Sequence, residues 1–191
     1  MNEQPDDRPP SRAHPPIISV IGRSGSGKTM LIERLIPELA RLGLRVATVK
    51  RSPRFDIDVP GKDSWRHGRA GAAAYVVASA TQLAFVETTP APATGEAGRP
   101  TPLAPRLTDI AARFFGSGID LVLHEGHRRE APPAIEVFRL AAGHDGPLCG
   151  PGESLALVTD APLEHERRFA LDDTAGLARF LVARLELAPP E

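Results

Sequence analysis

The chain is short of cysteine and of aromatic residues: Cys149 is its one thiol, and Phe, Trp and Tyr together make up 5% of its 191 residues. A single cysteine rules out an intramolecular disulfide, which fits a reducing compartment. Cys149 itself stands in a Gly/Pro-rich loop as an incidental thiol. There is also no surplus of either charge, since 23 Lys and Arg against 24 Asp and Glu give a formal net charge of −1. General nucleic-acid and membrane-surface binders need an excess of cations, so neither partner is expected. No apolar run approaches the roughly 20 residues that span a bilayer, and the N-terminus lacks the basic-then-apolar layout of a signal peptide. The expected location is cytoplasmic.

The 41% of hydrophobic residues is enough for one core built from Leu, Val, Ile and Ala. Residues 1–15, MNEQPDDRPPSRAHP, are polar and Pro-rich and read as a flexible tail, leaving residues 16–191 as one domain. The β-branched run Ile17 to Ile21 predicts a buried strand. Leu31, Leu35, Leu39 and Leu42 recur at helical spacing over Met30 to Leu42, with Pro37 inside the pattern as a kink and Gly43 as its C-terminal stop. Arg45 to Val49 predicts the second strand of a βαβ unit, hence an α/β three-layer sandwich with a mostly parallel central sheet. Further on, the patterns predict a helix over Lys62 to Gly71 and a hairpin of Ala74 to Ser79 with Leu83 to Glu87. Strands are expected over Asp120 to His124, Ile135 to Leu140 and Leu155 to Thr159, and helices over Leu107 to Phe115 and Asp173 to Leu187. Residues 90–106, PAPATGEAGRPTPLAPR, read as a mobile loop.

Gly22-Arg23-Ser24-Gly25-Ser26-Gly27-Lys28-Thr29 satisfies G-x-x-x-x-G-K-[ST], the P-loop pattern of nucleoside triphosphate binding. The glycines let consecutive backbone N–H groups converge on phosphate, and the helix that follows directs its positive end to the same anion. Lys28 is expected on the β- and γ-phosphates and Thr29 on Mg²⁺; Gly22, Ser24, Gly25, Ser26 and Gly27 form the cradle. A Gly-rich turn without a ligand is the alternative. It is disfavoured because the motif follows a strand and opens a helix. A second carboxylate for the metal is expected where a buried strand ends, and Glu125 follows the apolar run Leu121 to Leu123. Asp120 caps the start of that strand, and Gly126 lets the backbone approach a γ-phosphate. Asp56 and Asp58 lie in a loop that also carries Lys50, Arg51, Arg54 and Lys62, which reads either as a switch segment or as a solvated charged turn. His124, Glu125 and His127 are one residue short of H-E-x-x-H, so His124 reads as a packing residue.

Several segments together resemble the molybdopterin-guanine dinucleotide biosynthesis adaptor family, MobB. They are Thr48-Val49-Lys50-Arg51, Asp56 to His67 with its P-G-K-D-S-x-R-H core, Ala70-Gly71-Ala72, Glu87-Thr88-Thr89-Pro90, Asp120 to Gly126, and Ala134 to Arg139. The resemblance runs from about Ile17 to the last helix. It implies a homodimeric GTP-binding protein with feeble GTPase activity that works beside the molybdopterin guanylyltransferase, with molybdopterin or an apo-molybdoenzyme as further partners. It also implies GTP and Mg²⁺ as cofactors held by Gly22 to Thr29, and a switch-like loop that contains Asp56 and Asp58. Gly126 would be a second nucleotide contact, and Asp160, after the last strand, the reader of guanine N1–H and N2–H₂. The site itself makes Lys28, Asp56 and Glu125 the catalytic candidates and Thr29, Asp56 and Glu125 the metal candidates, with Glu125 or Asp56 orienting the metal's water shell. The sequence departs from the family at Ser52-Pro53-Arg54, where histidines are usual, and at His124, His127 and Arg128. Two other functions fit the P-loop: a small kinase holding an anionic metabolite on Arg51, Arg54, Arg66 and Arg69, and a metallochaperone GTPase with His124 and His127 as ligands.

Overall fold

The computed structural model describes residues 14–50, 57–87, 103–115, 118–126 and 133–187. The chain divides into two units, one of Met1–Arg51 with Pro102–Glu191 and the other of Ser52–Thr101.

The larger unit is built on a six-stranded sheet. Its strands are β1 (Ile17–Ile21), β2 (Val46–Lys50), β5 (Leu121–Glu125), β6 (Ala134–Phe138), β7 (Ala156–Thr159) and β8 (Arg168–Phe169), in the order β2-β5-β1-β6-β7-β8. Every pairing is parallel, with Ser19 beside His124 on one side of β1 and Val20 beside Ile135 on the other. β5, β6 and β7 are buried almost throughout, which is why they read as continuous apolar runs. On one face Ile18, Val20, Leu121, Leu123, Ile135, Val137, Ala156 and Val158 form a single core with Leu31, Ile32, Leu35 and Leu39 of helix α1 (Lys28–Arg41) and Leu177, Ala178 and Leu181 of helix α4 (Thr174–Leu185). Chain order reverses across β1, whose neighbours β5 and β6 lead to opposite edges of the sheet. That is where a doubly wound sheet opens a crevice at the carboxyl ends of its strands.

Helix ends follow local chemistry. α1 runs through Pro37 and stops at Gly43, whose φ is +83°; Gly43 N–H donates to Ala40 O and Leu44 N–H to Leu39 O, a Schellman arrangement. α4 opens on Asp173, whose carboxylate accepts from Gly176 N–H at 2.9 Å. Asp120 holds the start of β5 as expected, its Oδ2 accepting from Arg45 N–H at 2.6 Å. Helix α3 (Leu103–Phe114) begins four residues earlier than its periodicity predicts. Pro105 falls in its first turn, where a missing N–H costs no helical bond. Residues 90–102 of the predicted loop and residues 1–13 of the predicted tail lie outside the described residues. The two-residue strand β8 has no period to read and was not anticipated.

The smaller unit contains helix α2 (Asp63–Arg69) and an antiparallel hairpin of β3 (Ala74–Ala78) and β4 (Leu83–Glu87), paired from Ala74 with Glu87 to Ala78 with Leu83. Gly68 of α2 lies against the Tyr75 ring, which a Cβ would meet at 3.0 Å.

One glycine of the larger unit is obligatory. At Gly22, φ is +148°, and an added Cβ would sit 2.4 Å from Val137 O and 2.6 Å from Ser26 Oγ. Both strain and overlap oppose any side chain there, so Gly22→Ala is expected to lower the unfolding free energy by roughly 2 kcal/mol or more. Denaturant titration checks this; an unchanged midpoint would contradict the packing described.

Candidate functional site

The turn from β1 into α1 sets the site. Gly27, the residue before α1, has φ +98° and ψ +17°, and no side chain caps the helix. The first helical bond is Leu31 N–H to Gly27 O at 2.9 Å, so the N–H groups of Lys28, Thr29 and Met30 precede any intrahelical acceptor. α4 fills its N-terminus with Asp173, whereas α1 presents its amides and the positive end of its dipole to the loop. This is the geometry that the P-loop pattern requires.

Lys28 is 6% exposed, and its ammonium donates to Gly22 O at 2.9 Å and Arg23 O at 2.8 Å. An ammonium has three donors, so with two on the loop's carbonyls the third is the one for an anion. Burial holds the Lys28 pKa below the ordinary lysine value; Glu125 opposes that shift and Lys50 adds to it. A bound phosphate favours the ammonium, so the complex keeps the proton to higher pH than the free protein. Affinity is therefore greatest below the lowered free-state pKa and falls as pH rises through it, before an ordinary lysine would titrate. Tripolyphosphate titrations from about pH 7 to about pH 11 should show this fall in the wild type and a flatter profile in Lys28→Arg, whose guanidinium stays charged. Parallel profiles would contradict a titrating Lys28.

Thr29 and Glu125 are brought together from residues 96 positions apart: the Thr29 hydroxyl donates to Glu125 Oε1 at 2.9 Å. Lys50 Nζ lies 3.3 Å from the same oxygen. The side chain of Lys50 is 62% exposed, so the ion pair is weak, but it shows that a cation is accommodated against this carboxylate. Glu125 ends β5 rather than following it, one strand from the loop. A hydroxyl and a carboxylate are the hard oxygen donors that Mg²⁺ takes, and the pair fits that ion. Gly126 is buried, and its N–H is engaged with Val20 O at 3.0 Å.

Asp160 follows β7, and its Oδ1 accepts from Leu140 N–H at 2.8 Å, which ties the carboxylate to the end of β6. His124 is fully buried on β5, with Nδ1 3.1 Å from Ser19 Oγ, as expected of a packing residue. No group of three or more His, Cys, Asp or Glu residues suited to a metal occurs among the described residues. Asp56 and His127 lie outside those residues. Asp58, in the smaller unit, accepts from its neighbour Val59 N–H at 2.8 Å.

Three contributors were missed. Glu136 is 1% exposed and accepts from Leu148 N–H and from Cys149 N–H, the latter at 2.9 Å, which pins the segment after β6. From that segment, His144 places Nε2 2.9 Å from Ser24 O; a carbonyl only accepts, so Nε2 carries the proton. Arg139 stands at the end of β6 beside the loop. A carboxylate inside the apolar strand Ala134 to Phe138 was the one available signal.

The sequence matches the family described as MobB, molybdopterin guanine dinucleotide synthesis protein B, over residues 17–160. It is 34% identical over 170 residues to the molybdopterin-guanine dinucleotide biosynthesis adapter protein of Escherichia coli strain K12, covering 87% of this chain and 91% of that one. Identity to the protein of the same description from Haemophilus influenzae is 36% over 154 residues, covering 80% and 79%. The crystal structure of a molybdopterin-guanine biosynthesis protein B superposes with TM-score 0.62 at 30% identity, over 89% of this chain and 99% of that one. Bacillus subtilis MobB, at 22% identity and TM-score 0.59 over 92% and 99%, shares the fold. No helix among the described residues is long and apolar enough to cross a membrane. With a P-loop on a parallel sheet and these relatives spanning most of its length, the chain belongs to the MobB family of molybdopterin guanine dinucleotide synthesis proteins.

Proposed function

We propose that this chain is a GTP-binding adapter that assists conversion of molybdopterin to its guanine dinucleotide form and hydrolyses GTP slowly. The observation that carries the nucleotide part is the convergence of Thr29 and Glu125 at 2.9 Å beside the buried ammonium of Lys28. The pathway is supported by the relatives, both described as adapters of that biosynthesis.

The N–H groups of the loop and of the first turn of α1 receive the phosphates, and Lys28 gives its third donor to them. Thr29 and Glu125 would hold Mg²⁺. The metal, when bound, neutralises charge on the β- and γ-phosphate oxygens. Gly126 closes the site without a side chain in the way, its N–H held by Val20. Asp160 offers an acceptor for the guanine donors N1–H and N2–H₂. Partners are the molybdopterin guanylyltransferase, a second copy of this chain, and molybdopterin or an apo-molybdoenzyme; the compartment is cytoplasmic.

Catalysis by loop amides, one lysine and one metal, without a transition-state cation from a partner, gives slow turnover. Hydrolysis by the purified chain should stay below roughly 1 s⁻¹, the lower end of the kinase range. The test is single-turnover hydrolysis of radiolabelled GTP with the guanylyltransferase present and absent, alongside pull-down of that enzyme. Kinase-like turnover that depends on a small acceptor would overturn the adapter reading, as would failure to bind the guanylyltransferase.

A further inference from the structure

A cavity of about 140 Å³ opens directly off the phosphate loop, lined by Ser26 and Gly27 of the loop, Met30 and Arg34 of α1, Arg139 at the end of β6, and Leu171. Val137, Val158 and Leu31 close its floor, so its walls are mainly apolar. Ser26, Arg34 and Arg139 are the polar side chains of that lining. Ser26 is 2% exposed, and its Oγ is buried without a hydrogen-bond partner among the described residues. Arg139 Nε is likewise buried and has no hydrogen-bond partner among the described residues. Buried donors without partners are costly, and native folds hold few of them, which sets this end of β6 apart beside the phosphate loop.

An occupant must be flat and apolar on its faces, carry acceptors on one edge, and start from the phosphate loop at Gly27. A nucleobase attached to the bound phosphates meets all three conditions. Arg139 decides which base: guanidinium offers only donors, and guanine presents two adjacent acceptors, O6 and N7. Adenine keeps N7 but has an N6 amino donor in place of O6, which opposes a guanidinium. The neighbouring residue supplies the rest of the edge. Leu140 N–H holds Asp160 Oδ1 at 2.8 Å, so the acceptor for N1–H and N2–H₂ is fixed one residue from Arg139.

We infer that Arg139 is the guanine-selecting residue of this chain, reading O6 and N7 of a base seated between α1 and the ends of β6 and β7. The inference rests on the proposed nucleotide site and adds its base specificity.

The test is isothermal titration of the full chain with Mg²⁺ and, in turn, GTP, ITP, ATP and inorganic tripolyphosphate, on wild type, Arg139→Ala and Met30→Trp. ITP keeps O6 and N7 and lacks the N2 amino group; tripolyphosphate occupies the loop alone. Arg139→Ala should weaken GTP and ITP alike by about 10- to 30-fold, the loss of one good bidentate base contact. ATP should change less than about threefold, and tripolyphosphate not at all. Met30→Trp, a change at a half-exposed position in the pocket wall, should weaken every nucleotide and spare tripolyphosphate. An unchanged GTP-to-ATP ratio in Arg139→Ala overturns the inference, and so does an equal loss for all four ligands, which would make Arg139 a support of the loop. If wild type binds tripolyphosphate without preferring GTP to ATP, base selection fails while the phosphate site stands. Binding of none of the four overturns the site itself.

Discussion

Lys28→Ala is expected to weaken GTP binding on the order of 10- to 100-fold, because the charge-assisted contact of its third donor to phosphate disappears. The site magnifies the effect. Lys28 is 6% exposed, so its charge acts in surroundings that screen it little, and its two loop carbonyls at 2.9 and 2.8 Å fix where the ammonium stands. Burial also lowers its pKa, so the free protein holds the charge at some cost and a phosphate relieves it. Truncation releases Gly22 O and Arg23 O as well, so a thermal melt must accompany the titration. A folded Lys28→Ala protein that binds GTP within about threefold of wild type would contradict the assigned role.

Glu125→Ala should remove the magnesium dependence of GTP binding. The carboxylate has two cationic or hydrogen-bonding neighbours, the Thr29 hydroxyl at 2.9 Å and Lys50 Nζ at 3.3 Å. A divalent ion bound with the nucleotide would be held by Glu125 in preference to Lys50, since the exposed lysine contributes little. Loss of this ligand is expected to lower GTP affinity in Mg²⁺ by about 30- to 100-fold, with little change in EDTA. Glu125→Asp, which shortens the reach by one methylene, should fall between. Equal losses with and without the metal would show that Glu125 acts by holding Thr29, not by holding magnesium.

The sequence was most legible where one residue type has one mechanical reason. Gly43 stops α1 because the C-terminal turn needs positive φ, and an acid at 172 or 173 marks the start of α4, where the structure uses Asp173 to accept from Gly176 N–H. The parallel sheet followed from β-branched runs spaced by one helical pattern, and the position of Glu125 from the rule that such sheets bind at their carboxyl ends. What stayed hidden depends on strand order. That Glu125 reaches Thr29 requires β5 to lie beside β1, which no local pattern states. Arg139 reads as an ordinary charge after an apolar strand until β6 is known to flank β1 on its other side. His144 is 120 residues from the carbonyl it meets, and Glu136 looks out of place until the loop amides of Leu148 and Cys149 close on it. Two-residue β8 and the Pro-containing start of α3 were missed for local reasons: one is too short for a period, the other hides inside a Pro-rich composition.

The most direct test of the central claim is a calorimetric titration of the wild-type chain with GTP and with ATP, each in Mg²⁺ and in EDTA. A Mg²⁺-dependent site that favours GTP over ATP by about tenfold or more is predicted, as a donor fork at Arg139 and an acceptor at Asp160 require. ATP bound as tightly as GTP, or either nucleotide bound equally well without the metal, would contradict the guanine-specific, magnesium-assisted site built from Lys28, Thr29, Glu125 and their neighbours.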